Sequence, residues 1–178
     1  MQRRVLRLLA LVLASLGLAL ADANDSKTFT VTVAATESVT IDTGTASPSV
    51  DYSDTGYCSA ADRFCAWYPT VIYSTNYTTN RKLVASATTT SSILSVVLEK
   101  QAAYPNPFTP SWGSGSSPGS WSTAFSGSTL TLTPTDQDIV VGIQNGTYAI
   151  APKLKLVFSS APPAGTYSAT VTFTIMAQ

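Results

Sequence analysis

Residues 170–175 read T-V-T-F-T-I, in which every threonine is followed by a larger apolar residue. Successive side chains of a β-strand point to opposite faces of the sheet, so the stretch predicts a strand with Val171, Phe173 and Ile175 on its buried face. The threonines would lie on the solvent-exposed face. Both β-branched and aromatic residues favour the pleated surface of a sheet. This stretch therefore predicts a sheet with one face in a core and the other in water.

The same period of two recurs along the chain. Further alternating stretches lie at residues 28–33, 130–132 and 154–158. Stretches that are apolar on both faces, as in central strands, lie at residues 71–73, 93–98 and 139–141. Turn-forming residues separate these stretches. We therefore predict an all-β fold, a single immunoglobulin-like antiparallel β-sandwich of about seven to nine strands.

Residues 1–23 have the layout of a secretory signal peptide. A start with three arginines is followed by an uncharged apolar run at 8–20 and by a small-x-small cleavage site that ends at Ala23. The run is shorter than the roughly 20 residues of a membrane-spanning helix. We expect cleavage after Ala23, or after Ala21, and a secreted sandwich domain of residues 24–178 without a membrane span. An uncleaved anchor helix is the alternative.

Cys58 and Cys65 are the two cysteines of the chain. In an exported protein they predict a disulfide that closes a small loop. A metal site is the alternative, but it would need further soft ligands, and the chain has no histidine and no other cysteine. Asp51, Asp54 and Asp62 lie near this loop and are candidates for a calcium site, although their spacing matches no EF-type loop. We predict the disulfide and no metal centre.

Two Asp-Thr-Gly stretches, at Asp42 and Asp54, raise the question of an aspartic protease. Such enzymes hold two aspartates together around one shared proton. Two equivalent lobes cannot be built within the short stretch that separates Asp42 from Asp54, and the same residues suit turns at strand ends. A chain without histidine also lacks the imidazole that a Ser-His-Asp catalytic triad or a Cys-His catalytic dyad requires. We therefore expect neither enzyme activity nor a cofactor.

The charge balance argues against a nucleic-acid partner. The chain has 10 Lys and Arg against 10 Asp and Glu, and three of the arginines lie in the predicted signal peptide. The remaining chain is mildly acidic and has no basic patch, so binding to nucleic acid is not expected. A charged fraction of only 11% and a high Ser and Thr content favour an extracellular, cell-surface or periplasmic β protein.

Residues 104–121 interrupt the alternating pattern with four prolines and three glycines. Such a segment cannot be a central strand, so we predict a long exposed loop rich in Pro, Gly and Ser. Its large aromatic side chains are candidates for binding a glycan: Tyr104, Phe108, Trp112 and Trp121. The alternative is that Trp121 and Phe125 fold back over the edge of the core.

Residues 159–175, S-S-A-P-P-A-G-T-Y-S-A-T-V-T-F-T-I, resemble the closing strands of small secreted bacterial surface proteins with immunoglobulin-like or pilin-like sandwiches. Spore-coat-U-like and chaperone–usher-type subunits end in a similar Ala-Gly-Thr-Tyr turn and alternating strand. Residues 73–76 followed by 82–85 are similar to a hairpin of such proteins. The resemblance implies a β-sandwich with a structural role at the cell surface.

These observations favour a structural subunit of a surface fibre, a pilus-like filament or an envelope assembly. Residues 24–35 hold a candidate assembly strand in which Phe29, Val31 and Val33 alternate with threonines. That strand could enter a neighbouring sandwich, through self-assembly or with an envelope protein as the partner. The alternative is that it is simply the first strand of its own domain. A secreted carbohydrate-binding or adhesin module that uses the 104–121 loop is the alternative function.

Overall fold

The computed structural model describes residues 33–42, 49–100, 115–125 and 127–178. The chain divides into two compact units, residues 1–33 and 34–178, and Val33 is the described residue of the first unit. The predicted signal peptide and most of the candidate assembly strand, including Phe29 and Val31, lie outside the described residues. None of the helical structure in the described ranges is long and apolar enough to cross a membrane.

The described residues form 12 β-strands and one short 3₁₀ helix at Thr123–Phe125. The strands are β1 (Glu37–Asp42), β2 (Cys58–Ser59), β3 (Phe64–Trp67), β4 (Thr70–Thr75), β5 (Arg81–Thr89), β6 (Leu94–Glu99), β7 (Pro118–Trp121), β8 (Thr129–Leu132), β9 (Gln137–Ile143), β10 (Gly146–Ile150), β11 (Lys153–Phe158) and β12 (Ala169–Ala177). The predicted all-β fold is confirmed. The predicted number of strands was too small, because short strands such as β2 and β7 lie in stretches rich in turn residues.

The strands form three antiparallel sheets. Sheet 1 has the order β1-β4-β10, sheet 2 has the order β2-β3-β11-β6-β8, and sheet 3 has the order β12-β5-β9-β7. The three stretches that are apolar on both faces lie in β4, β6 and β9, each of which has a strand on either side. Their prediction as central strands is therefore confirmed.

All three sheets bury side chains in one common core. Its members include Val71, Tyr73 and Tyr148 from sheet 1, Val96, Leu98 and Leu132 from sheet 2, and Leu83, Ile139 and Phe173 from sheet 3. On β12, Phe173 and Ile175 are buried, Val171 is half-buried and the intervening threonines are exposed, as the alternation predicted. Sheets that share one core in this way form a β-sandwich.

The hairpin inferred from the resemblance at residues 73–76 and 82–85 is wrong. The first segment ends β4 in sheet 1, whereas the second lies within β5 in sheet 3. Both edges of β4 are already occupied, by β1 and β10, so β5 cannot pair with it. The chain therefore passes from one sheet to another between residues 75 and 81.

The predicted loop at 104–121 is wrong at its C-terminal end, where Pro118–Trp121 form β7 and pair with β9. β7 is the edge strand of sheet 3, and a proline is tolerated at an edge because its missing N–H costs no ladder hydrogen bond there. Residues 101–114, which hold the rest of the loop's aromatic residues, lie outside the described part of the chain.

Candidate functional site

The predicted disulfide joins Cys58 and Cys65. The two residues lie opposite each other on the antiparallel strands β2 and β3, so the bond fastens a tight hairpin. Both cysteines are buried against Trp67, and Tyr57 packs on the same small cluster. The disulfide thus belongs to a separate minor core at one end of sheet 2.

The carboxylates near this hairpin each accept hydrogen bonds within their own turn. Asp51 accepts from the hydroxyl and the amide of Ser53, at 2.7 and 2.8 Å, and these bonds lower the pKa of its carboxyl group. Asp54 accepts an amide hydrogen bond at 2.9 Å, and Asp62 accepts from the hydroxyl of Ser59 at 2.8 Å. Within the described ranges, no group of three acidic or cysteine side chains is placed to hold a metal ion.

The two Asp-Thr-Gly stretches fall in different local structures. Asp42 is the last residue of β1 and lies opposite Thr70 of β4. Asp54 lies in the turn before β2, where its side chain and carbonyl accept hydrogen bonds from that turn. Asp54 therefore has the turn role that its residue type favours, whereas the Thr and Gly that follow Asp42 lie outside the described residues.

Trp121 is the one described member of the predicted aromatic glycan-binding set. It ends β7 and is half-buried, with its ring 5.0 Å from that of Phe125 in an edge-to-face arrangement. Phe125 is fully buried, and Lys100 lies over both rings, at 5.3 and 5.0 Å. Trp121 thus packs on the edge of the core, as the alternative interpretation predicted, while Tyr104, Phe108 and Trp112 lie outside the described residues.

Within the described part of the chain, β12 is an edge strand without the usual protection of an edge. Among the described residues it pairs with β5 alone, over the whole of Ala169–Ala177. Natural edge strands are commonly short, or carry charges, prolines or bulges that prevent pairing with another chain. β12 has nine residues and none of them is charged or a proline. Its outer edge therefore offers a long row of backbone groups to an incoming strand.

β1 approaches β12 at one end without forming a ladder with it. Glu37, at the start of β1, accepts hydrogen bonds from the guanidinium group of Arg81 at 2.5 and 2.8 Å. Arg81 lies opposite Ala177, at the end of β12. The start of β1 is thus held beside the end of β12, and the space between the two strands lies farther along both of them.

That space is an apolar groove of about 180 Å³, here called the edge groove. Its lining consists of Ile41, Trp67, Pro69, Leu154, Leu156, Ala169, Val171 and Phe173. Sheet 2 supplies the leucines, while β1 and β12 supply the residues at the two strand edges. Ile41 remains 43% exposed and Leu154, Leu156 and Val171 are only half-buried, so the groove is open to solvent. The lining residues that the structure describes carry no titratable side chain, and their chemistry suits contact with apolar side chains.

Asn76 fixes the chain immediately before β1. Its side-chain carbonyl accepts a hydrogen bond from the amide of Thr36 at 2.7 Å, and its amide group donates to the carbonyl of Ala34 at 2.6 Å. Val33, the next residue toward the N-terminus, is 78% exposed. Nothing local in the sequence shows that the side chain of Asn76 reaches residues 34–36.

Comparison with protein-family models and with curated proteins gave no match for this chain. The resemblance to pilin-like and spore-coat-U-like subunits therefore stays a prediction.

Proposed function

We propose that this protein is a non-enzymatic, secreted structural subunit that assembles by strand exchange into a surface fibre or an envelope layer. In this assembly the N-terminal segment of one copy fills the edge groove of the next. The observation that carries the proposal is the coincidence of an open apolar groove with an unshielded edge strand, β12. The disulfide agrees with export, since such bonds persist in oxidising compartments.

A strand added along β12 would form main-chain hydrogen bonds with its free edge. The same strand would cover Leu154, Leu156 and Val171, which are only half-buried in the single chain. Each large aliphatic or aromatic side chain that becomes fully buried contributes roughly 1.5–3 kcal/mol. Together, the backbone bonds and the buried side chains would give a stable contact between subunits.

Residues 28–33 have the pattern that such a strand needs. Phe29, Val31 and Val33 recur at every second position, as do Ala169, Val171 and Phe173 on the groove side of β12. Three alternating side chains span roughly 14 Å at about 3.4 Å per residue. The segment therefore matches the groove in both period and chemistry.

The anchoring of residues 34–36 favours a second copy as the donor. Asn76 holds these residues next to the start of β1, and β1 leads from there toward Ile41 and the groove. To fill its own groove, the segment at 28–33 would have to reverse direction directly before the fixed residues. Insertion into a neighbour requires no such reversal.

The alternative function, glycan binding through residues 104–121, has less support in the described structure. Trp121 packs on Phe125 and on the edge of the core and is only partly exposed. The edge groove, by contrast, is lined by described residues of β1, β3, β11 and β12.

The test compares the chain from residue 24 with the chain from residue 34. We expect residues 24–178 to form oligomers or filaments in light scattering and negative-stain microscopy, and residues 34–178 to remain monomeric with the same circular dichroism spectrum. A synthetic peptide of residues 24–35 should bind to 34–178 and raise its melting temperature. The matched control is the same peptide with Val31→Asp, which should do neither.

Two results would overturn the proposal. One is a stable monomer of residues 24–178 at all concentrations. The other is equal assembly of the 24–178 chain with and without Val31→Asp, a comparison that remains informative if the shortened chain fails to fold.

A further inference from the structure

The outer face of sheet 2 carries an exposed aromatic surface beside the disulfide hairpin. Tyr68 follows β3 and is 60% exposed, the ring of Phe64 is partly exposed on β3, and Tyr57 precedes β2. These rings border a cleft of about 190 Å³, here called the hairpin cleft. Its lining also includes Thr55, Ser59 and Lys153.

Lys153 places a cation among these rings. Its ammonium nitrogen lies 5.4 Å from the ring centre of Phe64 and 5.8 Å from that of Tyr68. The neighbouring Lys155 also lies over Phe64, but it forms an ion pair with Glu99 at 2.5 Å. Among the described residues, no carboxylate forms an ion pair with Lys153. Lys153 is therefore the cation available to an anionic ligand.

The hairpin cleft and the edge groove use opposite faces of β11. Lys153 and Lys155 point to the outer face, whereas Leu154 and Leu156 line the groove. A subunit with a filled groove would still expose the cleft. Ligand binding at the cleft is thus independent of the proposed strand exchange.

We propose that the hairpin cleft binds one acidic sugar residue of a uronate-containing glycan. Tyr68 offers an exposed ring face for stacking against a pyranose ring, and the ammonium group of Lys153 would pair with the sugar carboxylate. The hydroxyl of Ser59 donates to the Asp62 carboxylate and accepts from the Asp62 amide at 3.3 Å, which leaves one lone pair for a sugar hydroxyl. Pockets for drug-sized ligands usually measure about 300–1,000 Å³, so a smaller cleft suits one ring rather than several.

The test is calorimetric titration of residues 24–178 with tetragalacturonate and, as a neutral probe of similar length, with cellotetraose. We expect binding of tetragalacturonate, weaker binding as salt is raised, and much weaker binding of cellotetraose. Lys153→Gln and Tyr68→Ala should each lower the affinity for tetragalacturonate about tenfold or more. Lys82→Gln is the matched control, because Lys82 pairs with Asp138 on sheet 3, and it should leave affinity unchanged.

Absence of tetragalacturonate binding, or equal binding of the neutral probe, would overturn the proposal. An equal loss of affinity in Lys82→Gln would do the same, since it would indicate a general charge effect. If Tyr68→Ala changes assembly but not glycan affinity, the aromatic surface is a protein contact and the proposal is wrong. Chemical-shift changes confined to the hairpin and β11 would locate the ligand in the cleft.

Discussion

Tyr73 and Tyr148 lie directly opposite each other on β4 and β10, with ring centres 5.9 Å apart inside the core. The Tyr73 hydroxyl donates to the carbonyl of Pro118 at 3.0 Å. The Tyr148 hydroxyl accepts from the amide of Ser117 at 3.0 Å and donates to the carbonyl of Asn145 at 2.9 Å. This pair therefore connects sheet 1 to the start of β7 in sheet 3 through buried hydroxyl groups.

The stability of the fold should fall at alkaline pH because of Tyr73. Burial raises the pKa of Tyr73 well above its usual value, and the nearby Tyr148 raises it further. In the unfolded chain the phenol ionises near its ordinary pKa of about 10, so above that pH the unfolded state binds fewer protons than the folded state. The free energy of unfolding therefore decreases as pH rises from about 10 toward the folded pKa.

Urea denaturation between about pH 8 and pH 11.5 measures this effect. The wild-type chain should lose stability more steeply above about pH 10 than Tyr73→Phe, which lacks the ionising group. Lysines titrate in both chains and cancel in the comparison. Parallel curves for the two proteins would contradict the assignment to Tyr73.

Gly119 should not tolerate alanine. Its φ is +84°, which L side chains rarely adopt, and an added Cβ would lie 2.6 Å from the carbonyl oxygen of Val141 and 2.7 Å from a methyl group of Val140. We expect Gly119→Ala to lower the free energy of unfolding by about 2 kcal/mol or more, since backbone strain and crowding add. Gly127→Ala is the matched control, because an added Cβ there meets nothing within 4 Å. Equal stability of the two variants in denaturation would show that β7 relaxes easily.

The disulfide should contribute to stability mainly by restricting the unfolded chain. Cys58 and Cys65 are 7 residues apart, and the chain-entropy relation gives about 2–3 kcal/mol for so short a loop. We expect the double variant Cys58→Ala, Cys65→Ala to unfold at correspondingly lower denaturant concentration. Fluorescence of Trp67, which packs on the two cysteines, should report a change in the hairpin. If the reduced wild-type chain is as stable as the oxidised one, the bond has no such role.

Much of the fold could be predicted from local pattern alone. Strict alternation identified β12 and β11, and doubly apolar runs identified β4, β6 and β9 as central strands. These predictions succeed because side-chain period and burial are coupled in every strand. The order of strands could not be predicted from local pattern. Residues 73–85 resemble a hairpin in sequence but connect two different sheets. Which strands pair there depends on contacts with residues far away in the sequence.

The candidate site was harder to predict from local pattern than the strands, because it is formed by residues that only the fold brings together. The disulfide could be predicted by counting cysteines, whereas the edge groove combines Ile41, Leu154 and Val171, which are far apart in sequence. The role of Asn76 at residues 34–36 and the contacts of Lys153 with the aromatic rings likewise have no local signature. The sequence indicated which residues favour strand exchange, but not where a receiving groove would lie.

Loss of the Asn76 side chain should loosen the segment before β1. Asn76→Ala removes the hydrogen bonds to the amide of Thr36 and the carbonyl of Ala34. Each is exposed, so we expect a total loss of about 1 kcal/mol in the free energy of unfolding and faster amide exchange at Thr36. Asn80→Ala, whose side chain bonds to Gln144 instead, is the control and should leave that exchange rate unchanged. An unchanged rate in Asn76→Ala would mean that the backbone alone fixes these residues.

A charge placed in the edge groove should block assembly while leaving the subunit folded. Ile41 is 43% exposed and lines the groove, so Ile41→Asp introduces a carboxylate where an apolar strand would have to be buried. Burial of an unpaired charge is costly, so we expect the 24–178 chain with this change to remain monomeric in light scattering.

Thr40→Asp provides the matched control for that experiment, because Thr40 is the exposed neighbour on the same strand and does not line the groove. It adds the same charge to β1, and assembly should persist. Val171→Asp, on the other strand edge of the groove, should repeat the effect of Ile41→Asp at the cost of some stability, since Val171 is half-buried. Normal assembly of Ile41→Asp and Val171→Asp would mean that subunits join through another surface. Loss of assembly in all three variants would indicate that added negative charge, rather than occupation of the groove, controls the association.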